Sequence, residues 1–578
     1  MLTAAQCAPC SSKARSYLDE NVTLNRNFQH WMPTPLQREN VSPAAVDQQR
    51  TGLWPATWLS ICEGVLLGAA VSLTVFALQW RYGFLWSDEG WLWYISQRTA
   101  LGQVPLRDFF SYDPGRYYWS AALFKLTGSS GLYQQILANY LFAIIGLGAG
   151  YFFMIRAGLA RGRRVAILLL LGVVIGFPRH KVYEQILSLI CVCAIAFVFE
   201  APQRPKRWFL FGVAMGLAAF FGRNSGIFFG IAAIIAFVLL SLRREGPSIR
   251  RAVGALGGGI LIGYSPMFIM LVMVPGFAAE FFHSLLLTPK WAWSLKIPFP
   301  WHVHLKGLHG MDLVQARAMS WLCLAVPFTY AASLWRAARR DVPLHAMEWL
   351  AAAASAAGAG FLVHAFYTTD FFHIAEGVAP FVIAAGALSA HLWRDRRRWS
   401  LTLFCGMAFL VIANWLPMEP LVQYLRSKDR APESVQQVSI HGKSFEVPAE
   451  QAEIMNTVVT AFRDCHLHDG GFLAAPYYPG LYAFLNTRAP LWDTYFLWPR
   501  SQQAQQEDIE ALHRNGTALI LLNAQFALNG RESLELIQTN PKLVGYIETR
   551  YQRSNIKLPD GFNLYFSPQQ CRYPPPIN

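Results

Sequence analysis

Charge is scarce in this chain of 578 residues. Asp, Glu, Lys and Arg together make up 15%, against roughly 25% in soluble domains. Hydrophobic types supply 54%, and mean hydropathy is +0.26. So few charges cannot cover a water-facing surface of this size, which excludes a single soluble domain, and so much apolar content excludes disorder as the main state. Cysteine is sparse as well. Of nine, only Cys7 and Cys10 stand at C-x-x-C spacing, in a polar tail and with no second pair to complete a metal or redox motif. There is no internal repeat and no nucleotide-sugar motif. No apolar h-region precedes the first long apolar run, so the polar start does not read as a cleavable signal peptide. What remains is a polytopic membrane protein.

What is present in quantity is apolar runs. Eleven lie between charged segments, at 54–80, 131–155, 165–177, 185–199, 208–221, 226–242, 252–277, 319–335, 346–366, 374–393 and 400–417. The third is short for a span. The net charge of +14 comes from 49 basic against 35 acidic residues. Its basic residues sit in alternate loops: Arg156, Arg161, Arg163 and Arg164; Arg204, Lys206 and Arg207; Arg243, Arg244, Arg250 and Arg251; Arg336, Arg339 and Arg340; Arg394, Arg396, Arg397 and Arg398. Basic loops stay cytoplasmic, so the excess charge reads as membrane orientation and not as nucleic-acid binding.

The expected organisation is a cytoplasmic polar tail at 1–53, where the Asn21-Val22-Thr23 acceptor would be inert. A transmembrane domain follows at 54–419, with outer loops at 81–130 and 278–318, and then a small extracytoplasmic α/β domain at 420–578. In that last part, 471–475, 518–523, 543–551 and 563–567 read as strands, and 505–514 and 531–539 as helices. Its two cysteines, Cys465 and Cys571, are either a disulfide of an oxidising compartment or two free thiols. The glycines of 254–263 lie inside a span and predict close helix packing.

Polar groups gather at the outer span ends. Asp88 and Glu89 follow the first span. Asp108, Asp113 and Arg116 come after them. Arg179, His180, Lys181 and Glu184 form the turn between the third and fourth spans, and Arg223 the next outer turn. Asp370, His373 and Glu376 lie at a later one. Adjacent acids cannot point the same way on a helix or strand, so one can face a reaction centre while the other holds a metal or a partner. A carboxylate within hydrogen-bonding distance of a hydroxyl is a suitable general base, and Arg or Lys at the same level can hold a phosphate. The plain alternative is that the pair ends a helix and meets water. His302, His304 and His309, with Asp312, read as interfacial residues beside the belt of Trp291, Trp293 and Trp301. Trp492-Asp493 and Tyr477-Tyr478-Pro479 read as a small aromatic core before a sugar platform.

The series Asp88-Glu89, Arg98, Gly102, Pro105, Asp108, Pro114, Tyr118-Trp119, Ala121-Ala122-Leu123, Gly128-Ser129 resembles the first outer loop of GT-C glycosyltransferases, most nearly the family 39 and ArnT- or RgtA-like membrane sugar transferases. The resemblance implies an α-helical polytopic protein that moves a sugar, with inversion, from a polyprenyl-phosphate donor. The acceptor would be a lipid, a glycan or a protein, at the outer face of the inner membrane. It places Asp88 and Glu89 as catalytic carboxylates. Arg179, Lys181 and Arg223 are candidates for the donor phosphate, and Asp108, Asp113, Arg116, Asp370 and His373 for the substrates. Glu184 stands where several relatives have Asp. That departure leaves a divalent metal ion, at Glu89 and Glu184, an open question. The alternatives are a transporter or lipid flippase, and a non-catalytic assembly protein for an envelope polymer.

Overall fold

In lipid an unpaired backbone amide or carbonyl has no water to turn to, so each apolar run closes its hydrogen bonds within itself as a helix. The computed structural model describes residues 58–292, 307–367, 371–392, 397–526, 532–559 and 561–571. The tail at 1–53, Trp293, Trp301, His302, His304, Asp370, Arg394 and Arg396 lie outside the described residues.

Every apolar run coincides with a helix. The first is α1 (Trp58–Gln79). The loop after it carries two short helices, α2 (Asp88–Ala100) and α3 (Gly115–Thr127). Then come α4 (Leu132–Arg156), α5 (Arg161–Gly176), a 3-10 turn (Arg179–Lys181) leading into α6 (Val182–Glu200), α7 (Pro205–Phe221) and α8 (Arg223–Leu242). The next, α9 (Ile249–Gly263) and α10 (Ser265–Met273), meet at a 51° bend. After α11 (Phe277–Ala292) the bundle ends with α12 (Gly310–Ala338), α13 (Ala346–Tyr367), α14 (Phe371–Leu392) and α15 (Arg397–Trp415).

By length and composition eight of the described helices suffice to cross a membrane, or nine if α9 and α10 form one span. The remaining two apolar runs are the 16-residue α5 and the 17-residue α7, so the eleven runs do not translate into eleven full-length spans. The glycine expectation holds at Gly259 and Gly263, where a Cβ would run into the Phe209 and Val213 carbonyls of α7, while Gly254 and Gly257 have open space beside them.

Beyond α15 the chain turns into α16 (Pro420–Arg430) and an antiparallel hairpin of β1 (Val435–Ile440) and β2 (Lys443–Pro448). The hairpin docks on the exit of α1 through Gly83 N–H to the Glu446 carbonyl, 2.9 Å, and Glu446 N–H to the Arg81 carbonyl, 2.8 Å. The helix α17 (Ala449–Asp464) then leads to a four-stranded sheet of order β3-β4-β6-β5. Its strands are β3 (Phe472–Ala475), β4 (Leu519–Leu522), β5 (Gln552–Arg553) and β6 (Asn563–Phe566). β3 and β4 are parallel and the other pairs antiparallel. Between strands lie α18 (Gly480–Leu485), α19 (Gln502–Arg514), α20 (Leu536–Thr539) and α21 (Pro541–Arg550).

The strand expected at 543–551 is instead α21. Pro541 opens it, and Leu543, Val544 and Ile547 bury one helical face under the sheet. The helix expected at 531–539 is a 3-10 turn (Glu532–Leu534) followed by the single turn of α20.

A disulfide joins Cys465, at the end of α17, to Cys571 after β6, across 106 residues. Closing a loop of that length constrains the unfolded chain. Replacing both cysteines by Ser should lower the stability of this region by about 2–5 kcal/mol, read as a drop in the thermal midpoint of the purified protein.

Candidate active site

The site is built where the loop after α1 meets the C-terminal region. Gly90 and Gly480 make that meeting close: a Cβ on Gly90 would fall 2.5 Å from the Gly480 Cα. Gly480 N–H also donates to the Trp86 carbonyl at 2.9 Å. This crossing sets Tyr477, just before α18, against the first turn of α2. Tyr477 Oη donates to Asp88 Oδ1 at 2.8 Å. The phenol is only 4% exposed. Burial first, then the negative charge of Asp88, pushes its pKa well above the ordinary tyrosine value, so Tyr477 stays protonated and donates. Among the described residues Asp88 has this one hydrogen bond and no ion-pair partner. Its carboxylate is half-buried at a helix N-terminus, where partial positive charge favours an anion.

Glu89, the adjacent acid, points the other way. It is 2% exposed and pairs with Arg179, with Nε to Oε1 and Nη2 to Oε2 both at 2.8 Å. Arg179 also donates to the carbonyls of Gln79, Tyr82 and Gly83. It therefore fixes the turn out of α1, and its guanidinium is used up.

The remaining charges are paired in the same layer. Arg116 donates to Glu184 Oε1 at 2.7 Å and lies under the rings of Tyr112 and Tyr183. Asp113 accepts from the Arg223 N–H at 2.7 Å, capping α8, and from its guanidinium at 3.1 Å. Arg223 Nη1 has no hydrogen-bond partner. Lys181 Nζ donates to Glu376 Oε1 at 2.8 Å, and Glu376 Oε2 lies 3.0 Å from His364 Nδ1. His180 is within electrostatic reach of Asp88, Lys181, Glu184 and Glu89.

Asp108 stands apart. Burial alone would raise its pKa, but the Arg107 guanidinium and the Val104 N–H outweigh that and hold it below the usual carboxylate value. Its contacts are with its own loop and not with Asp88. His373 faces His364 with ring centroids 4.3 Å apart. His309 and Asp312 are exposed at the start of α12.

The Tyr477 role was not legible. The residue lies 389 positions from Asp88, and its run of aromatics reads as core. Core it partly is. Trp91, Tyr112, Tyr477 and Tyr495 form a wall, with Tyr477 to Tyr495 at 4.3 Å and Trp91 to Tyr112 at 4.6 Å. Tyr112 keeps 44% of its surface open.

The segment bearing Tyr495 is tied down by Arg500, which bridges Asp493 at 2.6 Å and Asp508 at 3.1 Å. Burial, only partly offset by Arg500, pushes Asp508 from 3.8 up to about 6. A raised folded-state value favours folding in full below about 4, and that contribution is lost as pH rises through about 6. The thermal midpoint should therefore fall across that window, by at most about 3 kcal/mol of stability, and Asp508→Asn should flatten the fall.

Among the described residues neither Glu89 nor Glu184 belongs to a group of three ligating side chains. Each gives a carboxylate oxygen to a buried guanidinium. Glu184 Oε2 is buried without a hydrogen-bond partner, yet no group of ligand side chains gathers on it. Among the described residues the one cluster of ligating side chains close enough for a single ion is His364, His373 and Glu376.

No protein-family model and no curated protein matches this sequence. The likeness found is to solved structures and is one of fold. Among solved structures the chain is similar to ArnT from Cupriavidus metallidurans bound to undecaprenyl phosphate, with a TM-score of 0.51 and 13% identity, covering 87% of this chain and 97% of that one. The apo state of the same ArnT gives the same values. A weaker likeness, with a TM-score of 0.48 and 11% identity, is to the Archaeoglobus fulgidus oligosaccharyltransferase, over 90% of this chain and 75% of that one.

Proposed function

We propose that this chain is a membrane glycosyltransferase that moves a sugar from a polyprenyl-phosphate donor to an envelope acceptor, with inversion and with Asp88 as general base. One observation carries the reading. Of two neighbouring acids, Glu89 is neutralised by a buried guanidinium, while Asp88 meets, among the described residues, a neutral phenol donor and no ion-pair partner. A carboxylate so placed keeps an oxygen for an acceptor hydroxyl. As that hydroxyl oxygen bonds to the anomeric carbon, its proton passes to Asp88. The bond from the anomeric carbon to the phosphate oxygen breaks, and the polyprenyl phosphate leaves as an anion. A single displacement of this kind inverts the anomeric centre.

The geometry narrows the candidates for the leaving phosphate. Arg179 is wholly engaged by Glu89 and three carbonyls, and Arg116 by Glu184 and the Phe221 carbonyl. Lys181, engaged by Glu376 alone among the described residues, and Arg223, whose Nη1 has no hydrogen-bond partner among them, are better placed to meet an anion. The open face of Tyr112 suits stacking by a sugar ring. No step is routed through a metal.

Cys465 and Cys571 support a site on the outer side of the membrane. Asp88 touches the region that their disulfide closes, and such bonds persist in oxidising compartments. The outer face of the cell's inner membrane fits, with lipid, glycan or protein as acceptor. Against a transporter, the described residues hold one broken span and no symmetric counterpart to it.

The test is turnover. Purified protein given a polyprenyl-phosphate sugar and acceptor, with no nucleotide sugar, should transfer the sugar. Counterflow of solute in proteoliposomes without transfer would support the transporter instead. Tyr477→Phe removes one hydrogen bond to a charged group, worth about 1.5–3 kcal/mol. It should lower kcat about tenfold to a hundredfold while KM stays within about twofold.

A further inference from the structure

Glu376 is 1% exposed and lies inside a membrane-spanning helix. Ionisable groups at such depth are costly and are kept where they have a task. Pairing with Lys181 uses Oε1 alone. Oε2 faces His364 Nδ1 at 3.0 Å, across the junction of α13 and α14. His373 stands one turn before Glu376 on the same face of α14, and its ring lies beside that of His364. One ligand atom from each of the three residues lies within 4.8 Å of the other two.

The two helices are held at this spacing by packing. Gly377, next to Glu376, leaves room for Leu362, which a Cβ there would meet at 3.4 Å. Tyr330 Oη donates to the Gly377 carbonyl at 2.5 Å.

Ligands bound tetrahedrally to one ion at about 2.0–2.2 Å lie about 3.3–3.6 Å apart. The 3.0 Å contact of His364 and Glu376 needs only a small opening to reach that value. Two imidazoles and one carboxylate, with a fourth position open, form the donor set of zinc centres. Imidazole donors favour transition ions over Mg²⁺ and Ca²⁺. The bond from Lys181 to the second Glu376 oxygen is the kind of outer contact that orients a ligating carboxylate. His364 and His373 are half-buried, so an ion can enter.

We propose that His364, His373 and Glu376 form a binding site for a divalent transition-metal ion of the zinc type, joining α13 to α14. The site does not depend on the role of Asp88.

The full-length chain, without a polyhistidine tag, is purified in detergent, stripped with chelator and titrated with Zn²⁺ or Co²⁺. One equivalent should bind and should survive a large excess of Mg²⁺, and Co²⁺ should show the visible absorption of a tetrahedral nitrogen and oxygen site. His364→Gln and His373→Gln should each lose the bound equivalent, whereas His513→Ala, exposed in the C-terminal region, should keep it. Thermal midpoints are read alongside to identify folded variants. If His364→Gln does not fold, His364→Cys replaces one zinc ligand by another, and it should bind Co²⁺ with a new thiolate absorption in the near ultraviolet. A wild-type chain that binds no ion overturns the inference. So does a folded His364→Gln or His373→Gln that keeps full stoichiometry, or a folded His364→Cys without the thiolate band.

Discussion

Asp88→Asn leaves the protein inserted and folded and reduces sugar transfer by about a hundred- to ten-thousandfold, the range expected when a positioned general base is removed. The amide is nearly isosteric with the carboxylate and its carbonyl oxygen can still accept from Tyr477, so packing at the Gly90–Gly480 crossing is undisturbed. What is lost is the ability to take a proton. The readout is release of polyprenyl phosphate from the donor, with the thermal midpoint measured in parallel. Transfer at the wild-type rate would remove Asp88 from the chemistry.

The second large effect is on stability. Glu89→Gln leaves Arg179 buried, 4% exposed, without its counter-charge. Breaking one partner of a buried pair costs about 3–5 kcal/mol. Arg179→Met costs at least as much, because it also strips donors from the Gln79, Tyr82 and Gly83 carbonyls. Both variants should show sharply lower thermal midpoints and poor recovery from the membrane, with activity falling in proportion to the folded protein that remains. The contrast between adjacent residues is the informative part: a change at 88 acts on rate, and a change at 89 acts on folding.

Sequence reasoning reached the helical architecture because lipid allows so few solutions. A long apolar run between basic clusters closes its hydrogen bonds as a helix, and the described part of each run is helical, with a 51° bend in the one at 252–277. It went astray where two periodicities overlap. The stretch 543–551 alternates enough to read as a strand, but Pro541 and the spacing of Leu543, Val544 and Ile547 are helical. It also passed over the β1–β2 hairpin, although His441 and Gly442 both take the left-handed conformation of its turn.

At the site, the residue types were legible and their pairing was not. That Asp88 and Glu89 diverge follows from helix geometry alone. Which of them meets a cation depends on Arg179, about ninety residues further along the chain. Arg179 and Glu89 answer each other, as do Arg116 and Glu184. Each looks like a binding group until its partner is seen. Tyr477 and His364 carried no local signal, because each acquires its neighbours only through the packing of distant elements.

Asp88 working at a donor site on the outer face is the claim on which the functional account rests, and labelling tests it most directly. Asp88→Cys is placed in a chain in which Cys7, Cys10, Cys62, Cys191, Cys193, Cys323 and Cys405 are replaced while the disulfide is kept. A membrane-impermeant maleimide added to intact cells stripped of their outer layers should modify position 88, and a polyprenyl-phosphate sugar should protect it. Modification only after the cytoplasmic side is opened, or modification equally fast with and without that lipid, would contradict the account.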